Sequence, residues 1–192
     1  KKFEDDELKQ LISSEPFKIK NLTFQKKILN VSDGNARLAI MASLLANKIQ
    51  SDFLDGGGGV FELFDDYFKT FIKDKSVFND PRVLKVLGLI SFFFTLDLRG
   101  SDFFEDLLDE FDLDKQTFIE SINELHKYEL VEVKENYVRV SEQVMATYFF
   151  YTVFIKEGLL PFDKLLTKYF KSFNTRFKET IIDSNNSFGY NK

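Results

Sequence analysis

The chain contains no cysteine, no tryptophan, one histidine and three prolines among its 192 residues. Without cysteine there is no disulfide framework, no thiol nucleophile and no zinc-thiolate site. A lone His126 excludes a multi-histidine metal centre. Positive charge is also short, with 26 Lys and Arg against 31 Asp and Glu for a net charge of -5, which argues against a chain that coats nucleic acid over its whole surface. The longest apolar run, Val86 to Leu96, falls well short of the ~20 residues needed to span a bilayer and reads as a buried helix. No signal peptide is visible in the acidic, polar opening residues, and the cytoplasm is the default expectation. The start at Lys1, without methionine, reads as the interior of a larger protein.

Phenylalanine is abundant instead, with 24 residues, and implies aromatic-rich helix packing. Periodicity predicts helix along most of the chain. Leu8, Leu11 and Ile12 share one face of a first helix. Phe24, Ile28 and Val31 do so in a second, which Asn21 can cap. A third begins at "SDGNARLAIMAS", residues 32–43, where Asp33 or Asn35 can cap and Gly34 permits a tight entry. Four consecutive glycines, Gly56 to Gly59, form a tether that is flexible or engineered; they lack the Lys-Ser/Thr context of a phosphate loop. A further helix places Phe61, Phe64, Phe68 and Phe71 on one side.

From residue 79 the pattern changes. Asp80 and Pro81 open an apolar helix expected to run through "FFFTLDL"; Ser101 caps a short one; Asp114 to Glu129 form the next. Val131 and Val133, then Val138 and Val140, alternate around a Lys-Glu-Asn turn as a β-hairpin. Helix, helix, helix, hairpin is the order of a winged-helix domain. An apolar helix ended by Gly158, a last helix begun by Pro161 and a frayed polar tail from Ser184 complete the expectation. The fold class is therefore mostly α: a small helical lid bundle over 1–75, a winged helix with one β-hairpin over 76–156, and a C-terminal helix with tail over 157–192.

The carboxylate pairs Asp5–Asp6, Asp65–Asp66 and Asp109–Glu110 sit where amphipathic helices need a solvated face and read as surface charge. Asp112, Asp114 and Gln116 hint at a calcium loop but lack its glycine and terminal glutamate. His126 reads as a capping or packing residue. The third winged helix is net acidic, Lys115 and Lys127 standing against Asp114, Glu120, Glu124 and Glu129, so it repels phosphates. The wing is balanced. The one basic segment is the last helix, whose Lys164, Lys168, Lys171, Arg176 and Lys178 read either as a contact for nucleic acid or an acidic partner, or as a solvated face over a Phe core. Arg37, one turn inside its helix, reads either as aimed at an anion or as a surface arginine.

"DGNARLAIMASLLA" resembles the sensor-2 segment of AAA+ and STAND-type P-loop ATPases, in which Gly-Asn/Asp-x-Arg opens a helix of the lid over the nucleotide. The order of helical lid followed by winged helix is also similar to those families. The resemblance implies that Arg37 reaches the phosphates of ATP or ADP while Gly34 and Asn35 shape the turn. Ala36 stands where many STAND proteins have proline. Val140, Ser141 and Glu142 stand where many have Met-His-Asp, so nucleotide sensing at that junction would fall to Ser141 and Glu142. The chain contains no Gly-x-x-x-x-Gly-Lys-Ser/Thr and no strand ending in paired acids, so the phosphate loop and its magnesium site are lacking and the chain alone is not expected to hydrolyse ATP. The expected partners are a P-loop core domain of the same parent chain and a possible second copy in a homo-oligomer, with no membrane. A winged-helix nucleic-acid binder using the last helix, and a plain helical interaction module, are the alternatives.

Overall fold

The computed structural model describes residues 2–49, 60–72, 78, 80–99, 102–141 and 143–188. It is mostly helical with one small antiparallel sheet and divides into two compact units, Lys1–Lys73 and Asp74–Lys192. The run Gly56 to Gly59 lies outside the described residues.

In the first unit α1 (Asp5–Ser13), α2 (Leu22–Ser32) and α3 (Ala36–Ile49) pack through Leu8, Ile12, Ile28, Ala42 and Leu45, all buried. Asn21 caps α2 as expected, its side chain accepting from the amides of Thr23 and Phe24. Helix α4 (Val60–Tyr67) continues into a π-helical turn, Phe68–Ile72.

The second unit opens with α5 (Pro81–Phe93), entered through Asp80, whose carboxylate accepts from the Arg82 amide at 2.9 Å. Next come β1 (Thr95–Asp97), α6 (Asp102–Glu110), α7 (Lys115–Lys127), β2 (Val131–Lys134) and β3 (Tyr137–Val140). The sheet order is β1-β3-β2, with Leu96 opposite Val138 on one side and Val133 opposite it on the other. Three helices, a short first strand and a two-stranded wing make this a winged helix.

The strand β1 corrects the expectation of a continuous helix through Asp97 and of a hairpin alone. Phe94 takes a positive φ of 64° and its amide returns to the Ile90 carbonyl, which ends α5. The chain then runs extended and buries Leu96 while Thr95 stays exposed. A run that is apolar on every side carries no period with which to mark that switch.

Helix α8 (Gln143–Phe150) passes into a second π-helical segment, Tyr151–Lys156, and Gly158 ends it at φ 59°. The last helix, α9 (Phe162–Phe188), is kinked at Phe173, where φ is -125° and ψ 28°. Ser184, where a frayed tail was expected to begin, is instead helical and buried, and the helix runs on to Phe188. Phenylalanine fills the joint between α5, α8 and α9: Phe92 lies 4.5 Å from Phe177 and 5.9 Å from Phe150, and Phe93 meets Phe173 edge-on at 5.1 Å.

Gly88 permits a close approach between α5 and the π-helical segment Tyr151–Lys156. A Cβ built there would stand 2.5 Å from Val153 Cγ1, in the π-helical segment. Gly88→Ala should therefore destabilise the second unit by about 1–3 kcal/mol through overpacking, read as a lower denaturant midpoint. Gly88→Ala with Val153→Ala should recover part of that loss, whereas an additive double mutant would refute the clash.

Candidate functional site

The turn between α2 and α3 is built from both of its sides. Asp33 ends α2 in the left-handed region at φ 42° and Gly34 follows at φ 80°. The Asn35 side chain then accepts from the amides of Arg37 at 2.9 Å and Leu38 at 3.3 Å, making Asn35 the cap of α3 and leaving Asp33 to end α2. The segment before α1 closes over the turn. The Phe3 amide donates to the Gly34 carbonyl at 2.8 Å, and Lys2 Nζ bonds both Asp33 carboxylate oxygens at 2.8 Å. A Cβ on Gly34 would fall 2.3 Å from Lys2 Cγ and 2.9 Å from the Phe3 carbonyl oxygen. Gly34 is thus required by the chain's own packing as well as by its φ.

Arg37 stands in the first turn of α3, half-buried. Two amides of that turn are already held by Asn35. An anion arriving there would accordingly be met by the guanidinium, with fewer of the helix's own N–H groups to help.

At the second expected position, the Ser141 hydroxyl donates to the Glu129 carbonyl at 2.7 Å and its amide to the Leu130 carbonyl at 3.1 Å. Ser141 therefore ties the end of β3 to the entry of β2. Glu142 lies outside the described residues. Arg37 belongs to the first unit and Ser141 to the second.

The basic residues of α9 separate into two groups. Lys164 donates to the Glu110 carbonyl at 3.1 Å, and Lys168 sits 3.1 Å from Asp106 and 3.3 Å from Glu110, whose hydrogen bonds raise its pKa. These contacts fasten α9 to the C-terminal end of α6. Beside them the Tyr169 hydroxyl is buried without a hydrogen bond, and burial pushes its pKa up to about 12. Arg176 is turned inward: Nε donates to the Phe92 carbonyl at 2.6 Å and Nη2 to the Ser91 carbonyl at 2.9 Å, with the guanidinium 5.4 Å above the Phe94 ring. Its pKa is lowered, chiefly by burial, against the opposing charges of Glu179 and Asp183. Lys171 and Lys178 are exposed. A contiguous basic face along α9 is thus absent, because three of the five cations hold the helix to its own unit.

The winged-helix surface is similarly balanced. Lys115 pairs with Glu105 at 2.6 Å on α6 and Arg139 with Glu132 at 2.6 Å across the wing. Arg99 grips Asp97 at 2.7 Å, bonds the Tyr137 hydroxyl at 2.6 Å and holds the Asp97 pKa down to about 2. His126 Nδ1 lies 3.0 Å from the Val131 carbonyl, so its ring N–H links α7 to β2. Of the carboxylate pairs, Asp65 meets Lys69 at 2.5 Å, while Asp66 is half-buried and burial raises its pKa. Among the described residues no group of three or more His, Asp and Glu side chains could hold a metal ion, and no helix is long and apolar enough to cross a membrane.

Sequence reasoning missed the role of Arg176. Its only local signal is an arginine between Phe173 and Phe177, spaced so that it points with them toward a core. Compared with family models, with curated proteins and with solved structures, the chain finds no match.

Two substitutions test these assignments. Gly34→Ala should destabilise the first unit by about 1–3 kcal/mol, from backbone strain at positive φ together with the Lys2 and Phe3 contacts; an unchanged urea midpoint would refute it. Arg176→Met keeps the apolar stem and removes the donors, and should destabilise the second unit by about 1.5–3 kcal/mol, whereas Lys171→Met should leave its midpoint within about 0.5 kcal/mol of the parent.

Proposed function

We propose that the chain is the regulatory lid and winged-helix part of an AAA+/STAND-like P-loop ATPase, coupling nucleotide state to partner contacts. The observation that carries this reading is the Gly34–Asn35–Ala36–Arg37 turn. Its left-handed glycine and asparagine cap set an arginine in the first turn of a lid helix, in a chain that continues into a winged helix. ATP or ADP, with Mg²⁺, would be held by a P-loop core that this chain does not contain. The part played here is electrostatic. Arg37 meets phosphate charge, and the capped start of α3 restricts the direction from which it can do so. The winged helix then transmits the state as a rigid body to a neighbouring domain or a second copy.

The paired surface of the winged helix supports protein contacts over nucleic-acid contacts. Its cations at Lys115, Arg99 and Arg139 are matched by carboxylates, and phosphate binding needs unmatched ones. A duplex-DNA reading based on α9 would have to break the contacts of Lys164, Lys168 and Arg176.

In the full-length ATPase that this reading requires, Arg37→Ala should weaken ATP binding or turnover at least tenfold, and Arg37→Lys should retain part of it, since the charge survives without the planar fork. Unchanged binding and turnover in Arg37→Ala, or a full-length sequence without a phosphate loop, would overturn the proposal.

A further inference from the structure

The last helix is fastened firmly along its first half and thinly along its second. Up to the kink, Leu165 and Tyr169 are buried, and Tyr169 and Phe173 lie among the rings of Phe93 and Phe103. Lys164 and Lys168 tie the same stretch to Glu110 and Asp106 of α6. At Phe173 the helical geometry breaks. Beyond it, Arg176 donates to the Ser91 and Phe92 carbonyls, and Gln143 reaches Asp183 only at 3.5 Å. Phe177 packs on Phe92 of α5, and its other ring contacts are with Phe162 and Phe170 of the helix's own first half.

The inward face of the second half is also poorly matched to its seat. Thr180 and Ser184 are 2% and 7% exposed, and their hydroxyls find no hydrogen-bond partner. On docking, each hydroxyl gives up water and gains no acceptor, which is the costly direction of that exchange. Ile181 and Ile182 stay 46% and 56% exposed, so docking withdraws little of their apolar surface from water. A segment with few buried apolar contacts and uncompensated polar groups opens at a lower free energy than the body it rests on.

We propose that residues 174–188 form a latch that opens as one unit at Phe173 and uncovers the carbonyl end of α5 together with the ring of Phe92. Arg176 is its catch. When the latch lifts, the guanidinium leaves the Ser91 and Phe92 carbonyls and the ring of Phe94, and water reaches the turn between α5 and β1. The first half of α9 stays in place, because its contacts with α6 and Phe93 all lie at or before the break. A simple fraying end behaves differently, loosening residue by residue with no step at Phe173.

The inference uses nothing of the nucleotide reading and is tested on the intact chain by native-state hydrogen exchange. Amides from 177 to 188 should share one opening free energy and one denaturant dependence, well below the protection of α5 and of residues 166–172. Thr180→Val with Ser184→Ala removes the orphaned hydroxyls at little change in volume and should slow exchange across the whole block about tenfold or more, whereas Arg176→Met should speed it by about as much. The chain has no cysteine of its own, so Thr180→Cys and Ser184→Cys supply a second readout. Both buried thiols should react with a maleimide at a common rate, far faster than Ser121→Cys, a buried position of α7. Protection that declines smoothly toward residue 188, protection equal to that of α5, or exchange indifferent to the Thr180 and Ser184 substitutions would overturn the proposal. So would thiols at 180 and 184 that react no faster than the one at 121.

Discussion

A helix buried on all sides still has to satisfy the carbonyls at its end, and α5 meets that requirement through one arginine. From Val86 to Phe93 its residues are covered, so water does not reach the last turn freely. The Arg176 guanidinium, delivered by a helix far along the chain, donates to the Ser91 and Phe92 carbonyls and places positive charge at the negative end of the helix dipole. The remaining arrangement follows from that contact. Phe177 is brought against Phe92, α9 is held in its rotation, and the guanidinium stands over the ring of Phe94, where the chain turns at positive φ toward β1.

The same economy of charge shapes the surface. A winged helix that grips nucleic acid keeps its cations unpaired on α7 and the wing. Here Lys115, Arg99 and Arg139 each have a carboxylate partner, and α7 sets two glutamates against its two lysines, with Asp114 and Glu129 just outside its ends. On α9 the exposed charges are of both signs, Lys171 and Lys178 standing with Asp163 and Glu179. The nucleotide reading of the first unit is compatible with this and rests on different residues.

Local chemistry made much of the fold legible. Asn21, Asn35, Asp80 and Asp114 are caps whose side chains accept from amides two or three residues on; Asn21 and Asp80 could be read as such, Asn35 only as one of two candidates beside Asp33, and Asp114 only as the first residue of its helix. The alternation around Val131–Val140 marked the wing for the same reason, since both strands lie within one short window. Features that depend on distant partners were not legible. The strand β1 is three residues long and is defined by β3, which lies beyond two intervening helices. Arg176 read as surface charge because its acceptors are backbone carbonyls, which no side-chain pattern advertises. Gly34 could be read as a tight turn, but its burial beneath Lys2 and Phe3 could not, because extended segments leave no periodic trace.

That last contact closes a loop in the chain. The Phe3 amide and the Lys2 ammonium hold the two residues immediately before the asparagine that caps α3. The segment ahead of the first helix is thereby fastened to the turn that opens the third, and the α1–α2 pair is bracketed at both of its ends by one set of contacts.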